Sequence, residues 1–321
     1  VRIFQTNPAL YRKQELETSP IVPSLEFHFF LTRHSSLYDS LLFSTFISSR
    51  LASWRQNGER RIAEFLATLG IPLAEAKQKW HHMATKSQLA LTANIAHAAR
   101  RFGLEDVRYK SLVRFFDTAA LPSASAADVV YAVTALLSDA PSSSSAAASR
   151  RFWAAYDALG DDTASLLHGL QAAKDRQYIV IREAASVIER RRLVSNGGFR
   201  FAFLRESAFK SRGIAHPSLL TRLGLFLSAA LEAPSNSSGQ ADRRSKPFVV
   251  IAPDEARGVW VVVASSSSAE GRGAQGFAGR FRRAAEQTRS RVVCEGFDGN
   301  AVEVANGQEV EFIKYLHDMM M

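Results

Sequence analysis

Residues 62–83 carry the strongest structural constraint in this sequence, because two apolar stripes flank a helix stop and a helix restart. The first stripe has the i, i+3, i+4, i+7 spacing of one helix face, and consists of Ile62, Phe65, Leu66 and Leu69. Gly70 then favours a left-handed helix end, and Pro72 favours a new first turn. The second stripe consists of Leu73, Ala76, Trp80 and Met83. The pattern predicts an antiparallel helix pair that packs and presents a surface, since it contains no catalytic side chain.

Composition sets the class of protein. The chain has 321 residues, 46% hydrophobic and 22% charged, which is typical of a globular protein with room for two domains. The formal charge of +9 favours a polyanionic or acidic partner, without choosing between nucleic acid and an acidic protein surface.

A single cysteine excludes a disulfide or cysteine-based zinc site within these residues and favours a reducing compartment. No apolar run reaches membrane-spanning length, so no membrane partner is expected. Val1 in place of Met indicates a fragment or a processed chain.

Prolines, low-complexity stretches and hydrophobic patterns along the sequence predict four segments of an α/β (α+β) chain. Residues 1–24, with three prolines, form an extended lead-in, and residues 25–140 form a helical domain. In the latter, Ser125 and Asp128 have the spacing of a capping box at a helix start. Residues 141–150 read as a Ser/Ala linker, and residues 151–321 as an α/β domain.

The second half alternates helical and strand patterns. A long helix is predicted at about 162–192, a strand at Phe199–Phe203, and a helix from Pro217. Two strands joined by a short turn follow at 248–252 and 259–264. A helix at 277–290, two short strands and a helix at 309–319 complete this half.

Residues 271–276 form a literal GxGxxG, but its context argues against a dinucleotide site. Four serines separate the preceding strand from Gly271, and the strands before it read as a hairpin. We interpret the segment as a flexible Gly/Ser loop.

The spacing of residues supports neither a metal site nor a catalytic nucleophile. The eight histidines include no zincin-type pair, and His81 and His82 diverge on a helix. Cys294 reads as a small apolar strand residue rather than a nucleophile. Asp161 and Asp162 form a carboxylate pair, which helix capping explains. The sequence therefore predicts no catalytic residues, no cofactor and no metal.

Two groups of basic residues are candidate contacts. The first lies in or near the predicted helix pair, and comprises Arg55, Arg60, Lys77 and Lys79 as candidate protein-binding residues. The second lies on the predicted 277–290 helix, and comprises Arg280, Arg282, Arg283 and Arg289 as candidate phosphate contacts. An ordinary solvated helix face is the alternative for both groups.

A series of short motifs has a specific order and spacing over about residues 25–316: Ser36-Leu37-Tyr38-Asp39-Ser40, Trp54 with Gly58 and Arg61, Leu69-Gly70-Ile71-Pro72-Leu73, Lys77-Gln78-Lys79, Ala127-Asp128-Val129-Val130-Tyr131-Ala132, Leu167-His168-Gly169-Leu170, Gly279-Arg280-Phe281 and Phe297-Asp298. In these motifs the chain resembles the cell division control protein 45 family of eukaryotic replication proteins. Ser35 stands where the family usually has Trp, and Leu69 stands for a Met.

The resemblance implies a helical interaction domain followed by a DHH-associated-type α/β domain with a mixed sheet. It implies a non-catalytic, nuclear subunit of the replicative DNA helicase that bridges the MCM hexamer and the GINS complex. Initiation and fork factors, and single-stranded DNA, are further implied partners. The family is related to RecJ-type DHH phosphoesterases, whose Asp/His-rich N-terminal domain has no counterpart in these residues.

Two alternatives remain open. One is a RecJ-like metal-dependent phosphoesterase or exonuclease, which needs clustered Asp and His ligands. The other is a simple module that binds single-stranded nucleic acid. The family's relatives bind nucleic acid through a glycine-rich motif with a histidine, and the corresponding residues 276–283 contain no His.

Overall fold

The computed structural model describes residues 20–55, 57–138, 145–195, 198–205, 207–209, 213–232, 246–265, 271–293 and 300–319. These residues form an α/β structure, as predicted. The chain divides into two compact units between Arg176 and Gln177. None of the helices in the described ranges combines the length and the apolar character that a bilayer-spanning helix requires.

The first unit combines a small antiparallel sheet, of order β1-β2-β3, with helices. Its elements are β1 (Ile21–Phe27), α1 (Leu37–Leu42), α2 (Thr45–Leu51), α3 (Gly58–Leu69), α4 (Leu73–Ala76), α5 (Thr85–Phe102), β2 (Arg108–Thr118), β3 (Leu121–Ser125), α6 (Ala126–Leu137), α7 (Ser145–Asp157) and the start of α8 (Thr163–Glu189). Short 3-10 turns lie at Thr32–His34 and Trp80–His82.

The prediction of a helical domain over residues 25–140 is wrong for its three strands. β1 pairs with β2 from Ile21↔Arg114 to Phe27↔Arg108, across more than eighty residues. A pairing between segments this distant leaves no local signal comparable to a hairpin turn. Most of the predicted lead-in, residues 1–19, lies outside the described residues, and its end forms the start of β1.

The predicted helix pair is confirmed in its first half and corrected in its second. Ile62, Phe65, Leu66 and Leu69 are all buried on α3, and Gly70 ends that helix at φ +75°. The second helix, α4, has only four residues. The long partner of α3 is instead α5, which places Phe102 edge-on to Phe65 at 5.4 Å between ring centroids. The Asn94 amide also donates to the Leu69 carbonyl at 3.0 Å.

The predicted linker at residues 141–150 differs from expectation in its second part. Residues 139–144 lie outside the described residues, but residues 145–150 form the start of α7. The division between units falls instead within α8. Small and apolar residues in 145–157 sustain a helix because Ala is the best helix former. The predicted capping box is confirmed, since Ser125 Oγ accepts from Asp128 N at 3.1 Å and Asp128 Oδ2 accepts from Ser125 N at 2.9 Å.

The second unit is built on a mixed six-stranded sheet of order β4-β5-β6-β7-β9-β8. Its elements after α8 are β4 (Leu193–Ser195), β5 (Arg200–Phe203), α9 (Pro217–Glu232), β6 (Phe248–Asp254), β7 (Val259–Ser265), α10 (Gly271–Gln287), β8 (Arg291–Val293), β9 (Ala301–Ala305) and α11 (Glu309–Asp318). Only the β5–β6 pair is parallel among the described strands. The core of the second unit includes Phe199, Phe281 and Phe312, none of which is exposed.

The GxGxxG segment is helical, so its interpretation as a loop is wrong. Gly271–Gly276 form the first part of α10, and the backbone geometry of this segment is that of a continuous helix. The predicted hairpin before this segment is confirmed, because β6 and β7 pair antiparallel. β9 pairs antiparallel with both β7 and β8, so α10 joins two strands that run in the same direction with β9 between them.

Candidate interaction surface

Lys77 and Lys79 lie on a short connector between α4 and the Trp80–His82 turn. Lys77 caps the end of α4 with helical backbone angles. The connector then pairs with another segment: Ser36 and Lys79 form an isolated antiparallel bridge, and Trp80 N donates to the Ser35 carbonyl at 3.0 Å. Helix α4 therefore ends at Ala76. Both lysines are exposed, while Ala76 and Met83 on either side are buried.

The ring of Tyr38, on α1, links this connector to the start of α3. The Lys77 ammonium lies 5.1 Å from the centre of the Tyr38 ring, within cation–π range. Burial, followed by the negative charges of Glu59 and Asp39, raises the pKa of Tyr38. Its phenol therefore stays protonated at neutral pH and can donate a hydrogen bond. We call Tyr38, Glu59, Lys77 and Lys79 the connector surface.

Lys174 adds a third basic side chain that sequence reasoning missed. Lys174 lies on α8, and its ammonium donates to the His34 carbonyl. This hydrogen bond holds the Lys174 side chain against the Thr32–His34 turn. Burial lowers the pKa of Lys174, and the positive charge of Lys79 lowers it further. The two lysines therefore lie within electrostatic range of one another, although they are 95 positions apart in sequence. No local pattern around Lys174 predicts this placement.

Arg55 and Arg60, the other two candidate protein contacts, have separate environments. The Arg55 guanidinium lies 4.9 Å from the centre of the Trp54 ring. Arg60 pairs with Glu64 one turn along α3 at 3.0 Å, and 81% of the Arg60 side chain is exposed. Such an exposed pair contributes only about 0.3–0.5 kcal/mol, so Arg60 can exchange Glu64 for another carboxylate at little cost.

A buried acid–imidazole contact supports the turn below the connector surface. His34 Nε2 lies 3.4 Å from Asp128 Oδ2, and both side chains are over nine-tenths buried. Burial by itself would raise the pKa of Asp128, but the His34 imidazole and the Ser125 hydrogen bonds together lower it. Asp128 therefore remains ionised while it caps α6 and holds the turn that carries His34.

The four candidate phosphate contacts lie at the exposed side of α10 or just beyond it. Phe281, Ala284 and Ala285 are buried, whereas Arg280, Arg282, Arg283 and Arg289 are exposed. The predicted amphipathic helix is therefore confirmed, except that it ends at Gln287. Arg289 lies beyond the end, with a left-handed φ of 52°, so it does not share a helical face with Arg282.

Exposed aromatic side chains on α7 form a cluster whose role the sequence did not indicate. Phe152, Trp153 and Tyr156 are more than half exposed, and neighbouring ring centroids lie 5.3 and 5.7 Å apart. The predicted domain boundary at residue 151 would place these side chains in the second domain, but the structure groups α7 with the first unit.

The remaining chemical candidates have structural roles where they are described. Asp162 Oδ1 accepts from Ala164 N at 3.0 Å, which confirms capping of α8, and Asp161 pairs with Arg114. His81 and His82 are exposed with ring centroids 4.2 Å apart. Within the described ranges, no cluster of His, Cys, Asp and Glu has three members placed to hold a metal ion. Cys294 lies outside those ranges.

Comparison with known proteins assigns the family. The CDC45 family model matches residues 2–319. The chain belongs to the CDC45 family. It is similar to the cell division control protein 45 homologues of Dictyostelium discoideum, at 32% identity over 95% of this chain and 47% of that protein, and of Schizosaccharomyces pombe, at 30% identity over 76% and 41%. The human homologue is 28% identical over 90% of this chain and 50% of its own.

A solved CDC45-family structure has the same fold. The crystal structure of CDC45 from Entamoeba histolytica superposes with a TM-score of 0.74, covering 99% of this chain and 62% of that one, at 19% identity. The chain spans about half the length of the curated CDC45 relatives it matches. The family resemblance inferred from short motifs is thereby confirmed.

Proposed function

We propose that this chain is part of a non-catalytic subunit of the eukaryotic replicative DNA helicase, acting in the nucleus during initiation and elongation. The observation that carries the proposal is the CDC45 family match across residues 2–319. In this role the subunit bridges the MCM hexamer and the GINS complex, and also contacts initiation and fork factors. Bridging supports unwinding by holding the ring closed, a task that requires binding surfaces rather than catalytic groups.

The connector surface is the docking element that we assign to this role. Lys77 and Lys79 are exposed, and their backbone is held by the pairing of Lys79 with Ser36 and of Trp80 with Ser35. A fixed backbone lowers the entropy lost on binding, since less of the chain must be ordered in the complex. The ammonium groups suit an acidic patch on a partner. Arg60 extends the candidate contacts onto α3, and Arg55 extends them onto the segment before that helix.

Reconstitution tests the proposed role. The full-length parent protein is mixed with purified MCM hexamer and GINS, alone and together, and the complexes are resolved by sedimentation. We expect a ternary assembly in which the parent increases the binding of GINS to MCM. If the parent associates with neither, the proposed function is wrong. Manganese-dependent digestion of single-stranded DNA by the same parent would instead support the phosphoesterase alternative.

A second function, binding of single-stranded DNA, is favoured by the exposed arginines of α10. Arg282 and Arg283 lie on its solvent side, opposite the buried Phe281. Guanidinium groups suit phosphate oxygens. For single-stranded DNA, each phosphate contact steepens the slope of log K against log salt concentration by about 0.7.

Charge reversal on α10 gives the matching prediction. We expect the 321-residue chain to bind a fluorescent oligonucleotide with an affinity that falls as salt is raised. The double variant R282E/R283E should lower the salt slope by about 1–1.5. The double variant K110E/K314E, at exposed positions of β2 and α11, makes the same change in net charge and serves as the control. Equal loss in both variants would show that overall charge, rather than α10, governs binding.

A further inference from the structure

A cavity opens at one edge of the six-stranded sheet, where three strands end. It has a volume of about 420 Å³. The pairing pattern makes β5, β6 and β9 run in the same direction, so their carboxyl ends meet at this edge. Arg205 follows β5, Asp254 ends β6, and Asn306 follows β9. Crevices outside the carboxyl ends of strands are common ligand sites in α/β sheets.

The cavity keeps a net negative charge although the chain is basic. Three carboxylates line it, those of Asp254, Glu255 and Glu309, together with the guanidinium of Arg205. A second guanidinium, that of Arg257, pairs with Asp254 at 2.7 Å, so the carboxylates exceed the guanidinium groups by one. The whole chain carries +9. An acidic cavity in a basic protein selects cationic groups, because a local field acts at short range while distant charges are screened.

Glu309 is the group that points to a ligand. It is the first residue of α11 and only 7% exposed. Its Oε1 accepts from Arg205 Nη2 at 3.1 Å, whereas its Oε2 is buried without a hydrogen-bond partner among the described residues. A buried carboxylate oxygen left without a donor is unfavourable, so the site is incomplete as it stands.

The aromatic wall shows which kind of cation the site accommodates. The Arg205 guanidinium lies 5.0 Å from the centre of the Phe203 ring and 5.5 Å from that of Trp260, while half of its side chain is exposed. The Trp260 indole is held in place because its Nε1 donates to Asn306 Oδ1 at 3.1 Å. Arg205 thus occupies, from within the chain, the position that an incoming guanidinium would take between the indole and Glu309.

We propose that this cavity binds an arginine side chain presented by a partner protein, with Glu309 as its carboxylate and Trp260 as its aromatic wall. A planar guanidinium satisfies both features, since it pairs with carboxylates through several N–H groups and stacks on aromatic rings. Arg205 moves aside to admit it. The proposal does not depend on which proteins the chain assembles with, and so stands apart from the helicase role.

Nuclear magnetic resonance of the 321-residue chain tests the site with a small probe. The indole Nε1–H signal of Trp260 is assigned with W260F and followed during titration with N-acetylarginine amide. We expect a saturable shift, and a much smaller one with N-acetylcitrulline amide, which keeps the shape but lacks the charge. No Trp260 shift with the arginine probe, or equal shifts with both probes, would overturn the proposal.

Two variants that act in opposite directions keep the test decisive. Glu309→Gln removes the charge and should weaken binding of the arginine probe about tenfold, whereas exposed Glu311→Gln on the same helix should not change it. Arg205→Gln removes the internal competitor and should tighten binding. If R205Q and a folded E309Q both bind the arginine probe with the wild-type affinity, the cavity is not an arginine site.

Discussion

Gly169 shows how one missing side chain permits two helices to approach closely. It lies within α8, in the Leu167–Leu170 motif that contributed to the family resemblance. A Cβ at this position would lie 2.9 Å from both the Cβ and the carbonyl oxygen of Ala132 on α6. Both distances are shorter than side chains tolerate, and the carbonyl belongs to the rigid backbone of a helix. Only glycine therefore fits at this crossing.

Substitution at Gly169 should destabilise the first unit. We expect Gly169→Ala to lower the free energy of unfolding by about 1–3 kcal/mol, because the added methyl group pushes α8 away from α6. Gly279→Ala is the matched control. Gly279 is also helical, and its added Cβ would meet nothing within 4 Å, so it should stabilise α10 by up to about 1 kcal/mol. Urea unfolding of both variants measures these changes. Equal losses of unfolding free energy in the two variants would contradict the close-crossing argument.

The depressed pKa of Asp128 makes part of the stability depend on pH. Its unfolded pKa is about 3.9, and its folded pKa is lower, so the unfolded state binds more protons between the two values. The stabilisation is complete well above pH 4 and is lost as the pH falls through the folded pKa. Asp128→Asn cannot titrate and lacks this component.

We therefore expect the stability difference between wild type and D128N to be largest near neutral pH and to shrink below about pH 4. Thermal unfolding measured from pH 7 to pH 3 provides the comparison. Asp117→Asn, at an exposed position in β2, is the control for removal of a carboxylate. A constant difference across this range would show that Asp128 acts only through shape and hydrogen bonding.

At the scale of elements, short-range signals determine where helices start. The capping box of Ser125 and Asp128 satisfies two backbone groups at the start of α6. The same Asp128 lies beside His34, so this helix start also supports the turn next to the connector.

Removing the cap hydroxyl tests the contribution of this helix start. We expect Ser125→Ala to cost about 1 kcal/mol in unfolding free energy, because Asp128 N loses its acceptor in a buried position. Ser149→Ala, at an exposed position within α7, should leave stability nearly unchanged or slightly raise it. Similar losses at both positions would exclude a specific capping effect.

The sequence predicted those elements whose signals are local. Gly70 adopts the left-handed conformation that ends α3, and Pro217 begins α9. The β6–β7 hairpin also lies where two short apolar runs and the turn between them place it. These outcomes depend on steric properties of a few consecutive residues, so no distant partner is needed to predict them.

Elements that depend on distant partners were missed. β2 is a strand because β1 pairs with it, and α4 ends early because the connector pairs with Ser35 and Ser36. The candidate site shows the same limit. Lys77 and Lys79 are exposed as expected, but Tyr38 and Lys174 join them only through tertiary contacts that no local spacing encodes.

At the scale of the whole molecule, the distribution of charged side chains separates distinct surfaces. The first unit presents the lysines of the connector surface, whereas α10 of the second unit presents exposed arginines. The cavity beside Trp260 is locally acidic. Because these surfaces are distinct, a substitution at one should leave binding at the others intact.

Binding of the helicase partners by connector variants is the most direct test of the proposed docking role. The double variant K77E/K79E in the full-length parent should weaken association with purified MCM and GINS by about tenfold or more, because repulsion replaces two attractions. Arg60→Glu should give a smaller loss, because it reverses one charge rather than two. The double variant K110E/K314E, at exposed positions of β2 and α11, makes the same change in net charge as K77E/K79E and is the control.

The decisive measurement is the dissociation constant of the parent protein for these partners, with unfolding midpoints recorded alongside to confirm that each variant is folded. The account predicts that K77E/K79E loses affinity while K110E/K314E retains it and all midpoints stay the same. Equal affinities of K77E/K79E and wild type, with both proteins folded, would contradict the connector surface as the docking element.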